Sequence, residues 1–94
     1  MGIIYCYTNK INKKRYIGQT VNPDQRQSQH KSTAFNKADA SYNTPFHAAI
    51  RKYGWDNFNY EVLASDIDDF NTLNELEIYY INKYNSKVPN GYNI

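Results

Sequence analysis

The side chains in this chain that could do chemistry are two phenols, one guanidinium, one imidazole and one carboxylate. They are Tyr5, Tyr16, Arg26, His30 and Glu77. Metal-assisted cleavage of a phosphodiester needs such groups, because an arginine can clamp phosphate oxygens and one carboxylate can hold a hard cation such as Mg²⁺. A tyrosine has an ordinary pKa of about 10, so as a general base it needs help from a neighbouring group. These five side chains are chemically compatible with such a reaction. Whether they form one site depends on the strands and helices that carry them.

Both phenols fall in a predicted β-hairpin. Two runs of β-forming residues, Ile3–Thr8 and Lys14–Gly18, flank a polar segment at 9–13 whose asparagines suit the left-handed conformations of a turn. Tyr5 and Tyr16 lie where cross-strand neighbours could meet. Aromatic pairs also stabilise hairpins by about 0.2–1 kcal/mol each, so strand packing is the favoured explanation of the two phenols at this point.

Arg26 and His30 belong to a helix predicted from Pro23 to about Phe35. Asn22 before Pro23 is a typical helix start, with a capping residue followed by proline at the first helical position. The helix is polar throughout, which indicates either a solvent-facing helix or one whose polar face has a function. Arg26 and His30 are four residues apart and therefore share that face.

A second helix is predicted over Pro45–Tyr53, after a surface loop at 36–42. Its inward residues repeat at helical spacing and are Phe46, Ala49, Ile50 and Tyr53. The residues expected to remain outside are His47, Arg51 and Lys52.

A third strand is predicted over Phe58–Ala64, followed by an acidic connection at 65–70 and a last helix from about Asn71 to Tyr84. The last helix has an apolar stripe made by Leu73, Leu76, Tyr80 and Tyr84, widened by Ile81. Glu77 lies inside that stripe, where a carboxylate is costly unless it is paired or binds a metal. The alternative is a glutamate at the edge of the stripe that reaches water.

Composition places the chain among single folded domains. It has 94 residues, 40% of them hydrophobic, with ten tyrosines and no apolar run long enough to span a membrane. With no signal-peptide pattern and one cysteine, Cys6, the expected location is the cytoplasm. One cysteine and two histidines make a structural zinc site a poor explanation.

The charge is divided between the two halves of the chain. Residues 1–52 carry nine basic and two acidic side chains, 9 − 2 = +7, whereas residues 53–94 carry two basic and seven acidic ones, 2 − 7 = −5. A basic half suggests an anionic partner, nucleic acid being the commonest, although surface patterning alone can also segregate charge.

The order of these landmarks resembles the GIY-YIG nuclease family. The hairpin carries Ile3-Ile4-Tyr5 and, eleven residues on, Tyr16-Ile17-Gly18. The resemblance continues through Arg26, His30, Lys52-Tyr53-Gly54, Glu77 and the closing Asn90-Gly91-Tyr92-Asn93-Ile94, nearly the whole chain. It is strongest to the catalytic domains of phage and intron-encoded homing endonucleases, and relatives also serve in excision repair, restriction and structure-specific cleavage.

The resemblance implies an α+β fold, a three-stranded, mostly antiparallel sheet flanked by three helices, with one catalytic domain over residues 1–94. It implies a DNA endonuclease that uses Mg²⁺ or Mn²⁺ and is a monomer as an isolated domain. If a phage encodes the chain, the expected location is the cytoplasm of the host cell. A C-terminal DNA-binding domain of the kind found in homing relatives is expected to be absent from this chain.

The resemblance also assigns roles to individual residues. Tyr5 is the favoured general base and Tyr16 orders the water shell of the metal, although the two roles could be exchanged. Arg26 binds the scissile phosphate, and His30 assists proton transfer or contacts phosphate. Glu77 is the one carboxylate ligand of the metal, and Asn93 supports the site. Candidates for contacts with the DNA backbone are Lys13, Lys14 and Arg15.

One residue departs from the family motif. Ile3 stands at the position of the first glycine, with Gly2 one place early. That glycine is a feature of the backbone, so the departure concerns the geometry of the strand more than the chemistry.

Two other classes of function compete with a nuclease. A non-catalytic DNA-binding module would keep the fold and bind DNA in a salt-dependent manner without metal. A small protein-interaction domain with an aromatic surface would have no affinity for nucleic acid.

Overall fold

A three-stranded antiparallel sheet runs through the middle of the molecule, in the strand order β2–β1–β3. The computed structural model describes all 94 residues. The strands are β1 (Gly2–Asn9), β2 (Arg15–Thr20) and β3 (Phe58–Ile67). β1 lies in the centre because its side chains are buried on both faces of the sheet.

Helices cover both faces of the sheet. They are α1 (Pro23–Ala34), α2 (Pro45–Tyr53) and α3 (Phe70–Lys83), with a 3₁₀ turn at Trp55–Asn57. Because side chains alternate along β1, Tyr5 and Tyr7 enter an aromatic core beneath α1 and α2, whereas Ile4 and Cys6 pack against α3. The predicted α+β fold with three helices is confirmed. No helix of the structure has the length and apolarity needed to cross a bilayer.

The third strand is longer than predicted. It continues to Ile67, through residues expected to form an acidic connection. The pairing of β1 with β3 changes register on both sides of Ile4, and this lets Ile67 pair with Gly2. Asp66 takes a positive φ of 58° in the irregular stretch. Pairing with the central strand therefore outweighs the polar composition of residues 65–67.

The hairpin turn is also built differently from the prediction. The residue with a positive φ is Lys13, at 67°, and neither Asn9 nor Asn12 takes that conformation. Instead, the side-chain oxygen of Asn9 accepts the backbone N–H of Ile11 at 2.8 Å, and that of Asn12 accepts the N–H of Lys14 at 2.9 Å. The asparagines stabilise the turn through their side chains, which leaves the left-handed position to a lysine.

Candidate active site

The two phenols lie on the same face of the sheet but not directly opposite each other. Tyr5 pairs with Gly18, and Tyr16 pairs with Tyr7, so Tyr5 and Tyr16 are diagonal neighbours. Their ring centroids are 6.4 Å apart. Tyr16 stacks on Phe46 of α2 with centroids 4.4 Å apart, which holds its ring beside that of Tyr5.

Gly18 makes the room that Tyr5 occupies. A Cβ atom at this position would overlap the hydroxyl and Cζ of Tyr5. The sequence motif ends on this glycine, but its contact with Tyr5 was not predicted. Because strand pairing places Gly18 opposite Tyr5, the missing side chain lets the phenol lie against the backbone of β2 at Gly18.

Arg26 projects from the end of the first turn of α1 towards both phenols. Burial raises the pKa of both phenols, that of Tyr5 far above its usual range, and hydrogen bonding and charge from the Arg26 guanidinium oppose this effect. Arg26 is half-buried, and its Nη1 donates to Oε1 of Gln29 at 3.0 Å. A guanidinium held here adds positive charge beside both phenols.

His30 faces the interior, although it belongs to a polar helix. It is 2% exposed, and its Nε2 lies 2.7 Å from the Tyr5 hydroxyl oxygen. Burial lowers the pKa of His30 to about 3, and the positive charge of Arg26 adds to this effect. The imidazole is therefore neutral near pH 7 and has a lone pair that can take a proton.

His47 corrects the prediction of an exposed helical histidine. It is buried, and its Nε2 lies 2.9 Å from Nδ1 of His30. Its other ring nitrogen, Nδ1, lies 2.9 Å from the Ser41 carbonyl oxygen and 2.7 Å from Oγ1 of Thr44. The loop before α2 folds back over this histidine, and that loop has no periodic pattern from which its path could be predicted.

Arg51 also differs from the prediction, whereas Lys52 is exposed as expected. Arg51 is half-buried and donates from Nη1 to the carbonyl oxygens of Ala34 at 2.8 Å and Tyr42 at 2.6 Å. Its guanidinium also lies 3.5 Å from the centre of the Tyr42 ring. This arginine fastens the loop that covers His47 and takes no part in the site itself.

Glu77 approaches the same group of side chains from α3. Burial raises the pKa of its carboxyl, while hydrogen bonding from Gln19 and the charge of Arg26 lower it. The charge of Glu77 in turn raises the pKa of both Tyr5 and Tyr16. The predicted stripe around it is confirmed, since Leu73 is buried in the core on this face of the sheet.

The donor set suits a hard cation with few protein ligands. No group of three or more histidine, cysteine, aspartate or glutamate side chains lies close enough to hold a metal by itself. Mg²⁺ needs no such group, because it retains water and takes phosphate oxygens as ligands beside one or two carboxylates. A half-buried carboxylate with a raised pKa fits this requirement, since a cation would offset the cost of its charge.

Asn93 braces β2 through its side-chain amide. Its Oδ1 accepts the N–H of Ile17 at 2.9 Å and the hydroxyl of Ser86 at 2.7 Å, and its Nδ2 donates to the Ile17 carbonyl at 2.8 Å. These bonds hold the residue next to Tyr16, so the contacts of Asn93 are those of a positioning residue.

A cavity of about 210 Å³ opens beside these groups. The residues that line it are Tyr16, Arg26, Ser41, Thr44, Phe46, His47, Tyr92, Asn93 and Ile94. Four of the predicted site residues lie around Tyr5, with Asn93 at their side, and they are Tyr16, Arg26, His30 and Glu77.

The three basic residues proposed for DNA contacts lie elsewhere. Lys13 is in the hairpin turn and donates from Nζ to the Lys10 carbonyl at 2.9 Å. Arg15 points to the face opposite Tyr16, with its guanidinium 4.6 Å from the centre of the Tyr84 ring. Lys14 lies between them and is half-buried. Contact with DNA stays a prediction for all three.

Comparisons with known proteins identify the family and agree with the observed fold. The family model described as the GIY-YIG catalytic domain matches residues 1–93. The structure of the catalytic domain of homing endonuclease I-TevI is similar over 100% of this chain and 98% of its own, with a TM-score of 0.84 and 26% identity. A mutant of the catalytic domain of intron endonuclease I-TevI has the same fold at 24% identity, with a TM-score of 0.83 over 99% of this chain and 93% of its own. No curated protein sequence matches the chain.

Proposed function

The chain belongs to the GIY-YIG family of nuclease domains, and from this premise we propose that it is a DNA endonuclease that hydrolyses phosphodiester bonds with the help of Mg²⁺ or Mn²⁺. The fold and the nuclease class follow from the family. The DNA substrate, the metal and the residue roles are the proposal.

One observation carries the proposal, namely the 2.7 Å contact between the Tyr5 hydroxyl and Nε2 of His30. Tyr16 has no such partner, since its ring packs edge-on to His30 with centroids 5.5 Å apart. A phenol with a raised pKa acts as a base only if its own proton has an acceptor, and His30 is that acceptor for Tyr5. This contact supports proton transfer by Tyr5 and the ordering of water by Tyr16.

The side chains then divide the reaction among them. Arg26 holds the non-bridging oxygens of the scissile phosphate and stabilises the charge that grows on them in the transition state. Tyr5 accepts a proton from the attacking water while its own proton passes to His30. Glu77 would hold the cation, which when bound polarises the phosphate and offsets the charge of the leaving oxygen.

A plasmid-nicking assay in Mg²⁺ tests this proposal. We expect Glu77→Ala to lower the cleavage rate at least about 100-fold, because the cation loses its one carboxylate ligand. The matched control is Glu75→Ala, which removes an exposed carboxylate from the same helix and leaves the rate unchanged.

The same assay separates the rival functions. Equal cleavage by the Glu77 and Glu75 variants, or no cleavage by the unaltered protein at high concentration, would contradict the proposal. A non-catalytic DNA-binding module would instead bind DNA in a salt-dependent manner, with the same affinity in both variants and without metal.

A further inference from the structure

A chain of hydrogen bonds links the proposed base to the backbone through two histidines. It runs from the Tyr5 hydroxyl to Nε2 of His30, from Nδ1 of His30 to Nε2 of His47, and from Nδ1 of His47 to the Ser41 carbonyl. The three distances are 2.7, 2.9 and 2.9 Å. The family motif and the proposed mechanism use only its first two members.

The far end of this chain determines where each proton lies. A carbonyl oxygen only accepts, so Nδ1 of His47 must carry the hydrogen that points to Ser41. The hydroxyl of Thr44 donates to the same carbonyl at 2.9 Å, which leaves its oxygen free to accept from His47 as well. The opposite arrangement would place the Nδ1 lone pair against the lone pairs of the carbonyl oxygen at 2.9 Å.

The hydrogen on Nδ1 of His47 then determines which atom donates in each of the other hydrogen bonds. A neutral His47 with its hydrogen on Nδ1 has a lone pair on Nε2, so His30 donates to it from Nδ1. Nε2 of His30 is left with a lone pair and accepts from the Tyr5 hydroxyl. Burial lowers the pKa of both histidines, which disfavours a doubly protonated ring at neutral pH.

Arg26 supports the same direction from the other end. A guanidinium only donates, and its hydrogen bonding and charge act to lower the pKa of Tyr5. The positive charge of Arg26 favours a lone pair of the Tyr5 oxygen on its own side, so the Tyr5 hydrogen points away from Arg26 and towards Nε2 of His30, which lies 2.7 Å from the oxygen. The carbonyl acceptor at one end thus requires this orientation, and the guanidinium at the other end favours it.

We propose that His47 is a positioning residue that holds His30 in the tautomer protonated at Nδ1, so that Nε2 of His30 is kept ready to accept the Tyr5 proton. As the O–H bond of the attacking water breaks and its proton joins the Tyr5 oxygen, the phenol O–H bond breaks and an N–H bond forms at Nε2 of His30. The Nε2 lone pair of His47 stabilises the imidazolium that results.

The tautomer can be measured without any cleavage. In ¹⁵N-labelled protein, the nitrogen shifts and the couplings to ring protons distinguish a protonated from an unprotonated ring nitrogen. We expect Nε2 of His30 to be unprotonated and Nδ1 protonated in the unaltered protein at pH 7. A hydrogen found on Nε2 of His30 would overturn the proposal whatever the protein cleaves.

Two variants of nearly equal shape test the consequence for catalysis, which rests on the proposed nuclease function. His47→Gln keeps an oxygen that can accept from His30 and an amide that can donate to Ser41, whereas His47→Met keeps neither. We expect kcat for plasmid nicking to fall at least about 10-fold in the Met variant at unchanged KM, and to be largely retained in the Gln variant.

The His30 spectrum of these variants separates this role from a packing role. We expect the Nδ1-protonated tautomer to persist in the Gln variant and to become mixed in the Met variant at similar melting temperature. Equal kcat in the two variants, with the tautomer unchanged in both, would overturn the proposal. If the unaltered protein cleaves nothing, the nuclease function is contradicted, while the tautomer measurement still decides the role of His47.

Discussion

Tyr5 and Tyr7 lie two positions apart on the same strand and enter the same core, yet their hydroxyl groups differ. The hydroxyl of Tyr5 contacts His30, whereas the hydroxyl of Tyr7 is buried without a hydrogen-bond partner. Both phenols have a pKa raised far above the usual range by burial. At the scale of the residue, an acceptor for the hydroxyl proton therefore distinguishes Tyr5, the proposed base, from Tyr7.

Removing the hydroxyl of Tyr5 should abolish most of the cleavage, whereas removing that of Tyr7 should leave cleavage intact and stabilise the fold. We expect Tyr5→Phe to lower kcat for nicking at least about 100-fold, because the water loses its base. Tyr7→Phe removes a buried polar atom that bonds to nothing, so cleavage should continue and the free energy of unfolding should rise by about 1 kcal/mol. Nicking rates and urea denaturation measure the two effects, and equal cleavage by the two variants would contradict the role of Tyr5.

The residue types of the site were predictable from the sequence, whereas their partners were not. Glu77 was identified because a carboxylate inside an apolar helical stripe needs a reason, and Arg26 because it shares a helix face with His30. His47 gave no such signal. Its burial depends on the loop ahead of α2, which carries the Ser41 carbonyl, and no local pattern describes the path of that loop.

At the scale of the elements, the patterns placed helices and strands well and misjudged some of their ends. α2 has the predicted bounds because Pro45 and Gly54 mark its two ends. β3 exceeds its predicted length because irregular pairing with β1 recruits residues 65–67, and such pairing is a long-range effect that local composition does not contain. Ile3, which replaces the first glycine of the family motif, lies where the pairing of β1 with β3 is irregular. Its pairing with Thr20 of β2 is regular.

The contact between β1 and β2 at Gly18 can be tested as a feature of the hairpin. We expect Gly18→Ala to displace the Tyr5 phenol, lowering kcat on the order of 100-fold and the free energy of unfolding by about 1–3 kcal/mol. Because the added methyl overlaps the Tyr5 hydroxyl and Cζ, the stability cost should be smaller in a Tyr5→Phe background. Equal costs in the two backgrounds, measured by urea denaturation, would show that the strain lies elsewhere.

At the scale of the whole molecule, the buried histidines link the site to folding. Burial holds the pKa of His30 at about 3, below its value of about 6.5 in an unfolded chain. Between these values the unfolded chain binds more protons than the folded one, so stability is full above pH 6.5 and falls as the pH drops towards 3. The lowered pKa of His47 acts in the same direction.

This linkage predicts a loss of stability on acidification. Between pH 7 and pH 4.5 we expect the free energy of unfolding to fall by about 2–3 kcal/mol on account of His30. His30→Gln, which keeps a hydrogen-bonding side chain that does not titrate, should lose less over the same interval. Urea denaturation of both proteins at the two pH values measures the difference, and equal losses would contradict the low pKa of His30.

The bonds that brace Tyr16 have a second effect, on the border of the sheet. β2 is an outer strand, and the side facing away from β1 would present free N–H and C=O groups to any strand that approached. The Asn93 amide occupies both groups of Ile17, and the N–H of Tyr92 takes the Arg15 carbonyl at 2.9 Å. The closing segment that supports the site thereby also covers this border from Arg15 to Ile17, where it blocks pairing with the edge strand of another molecule.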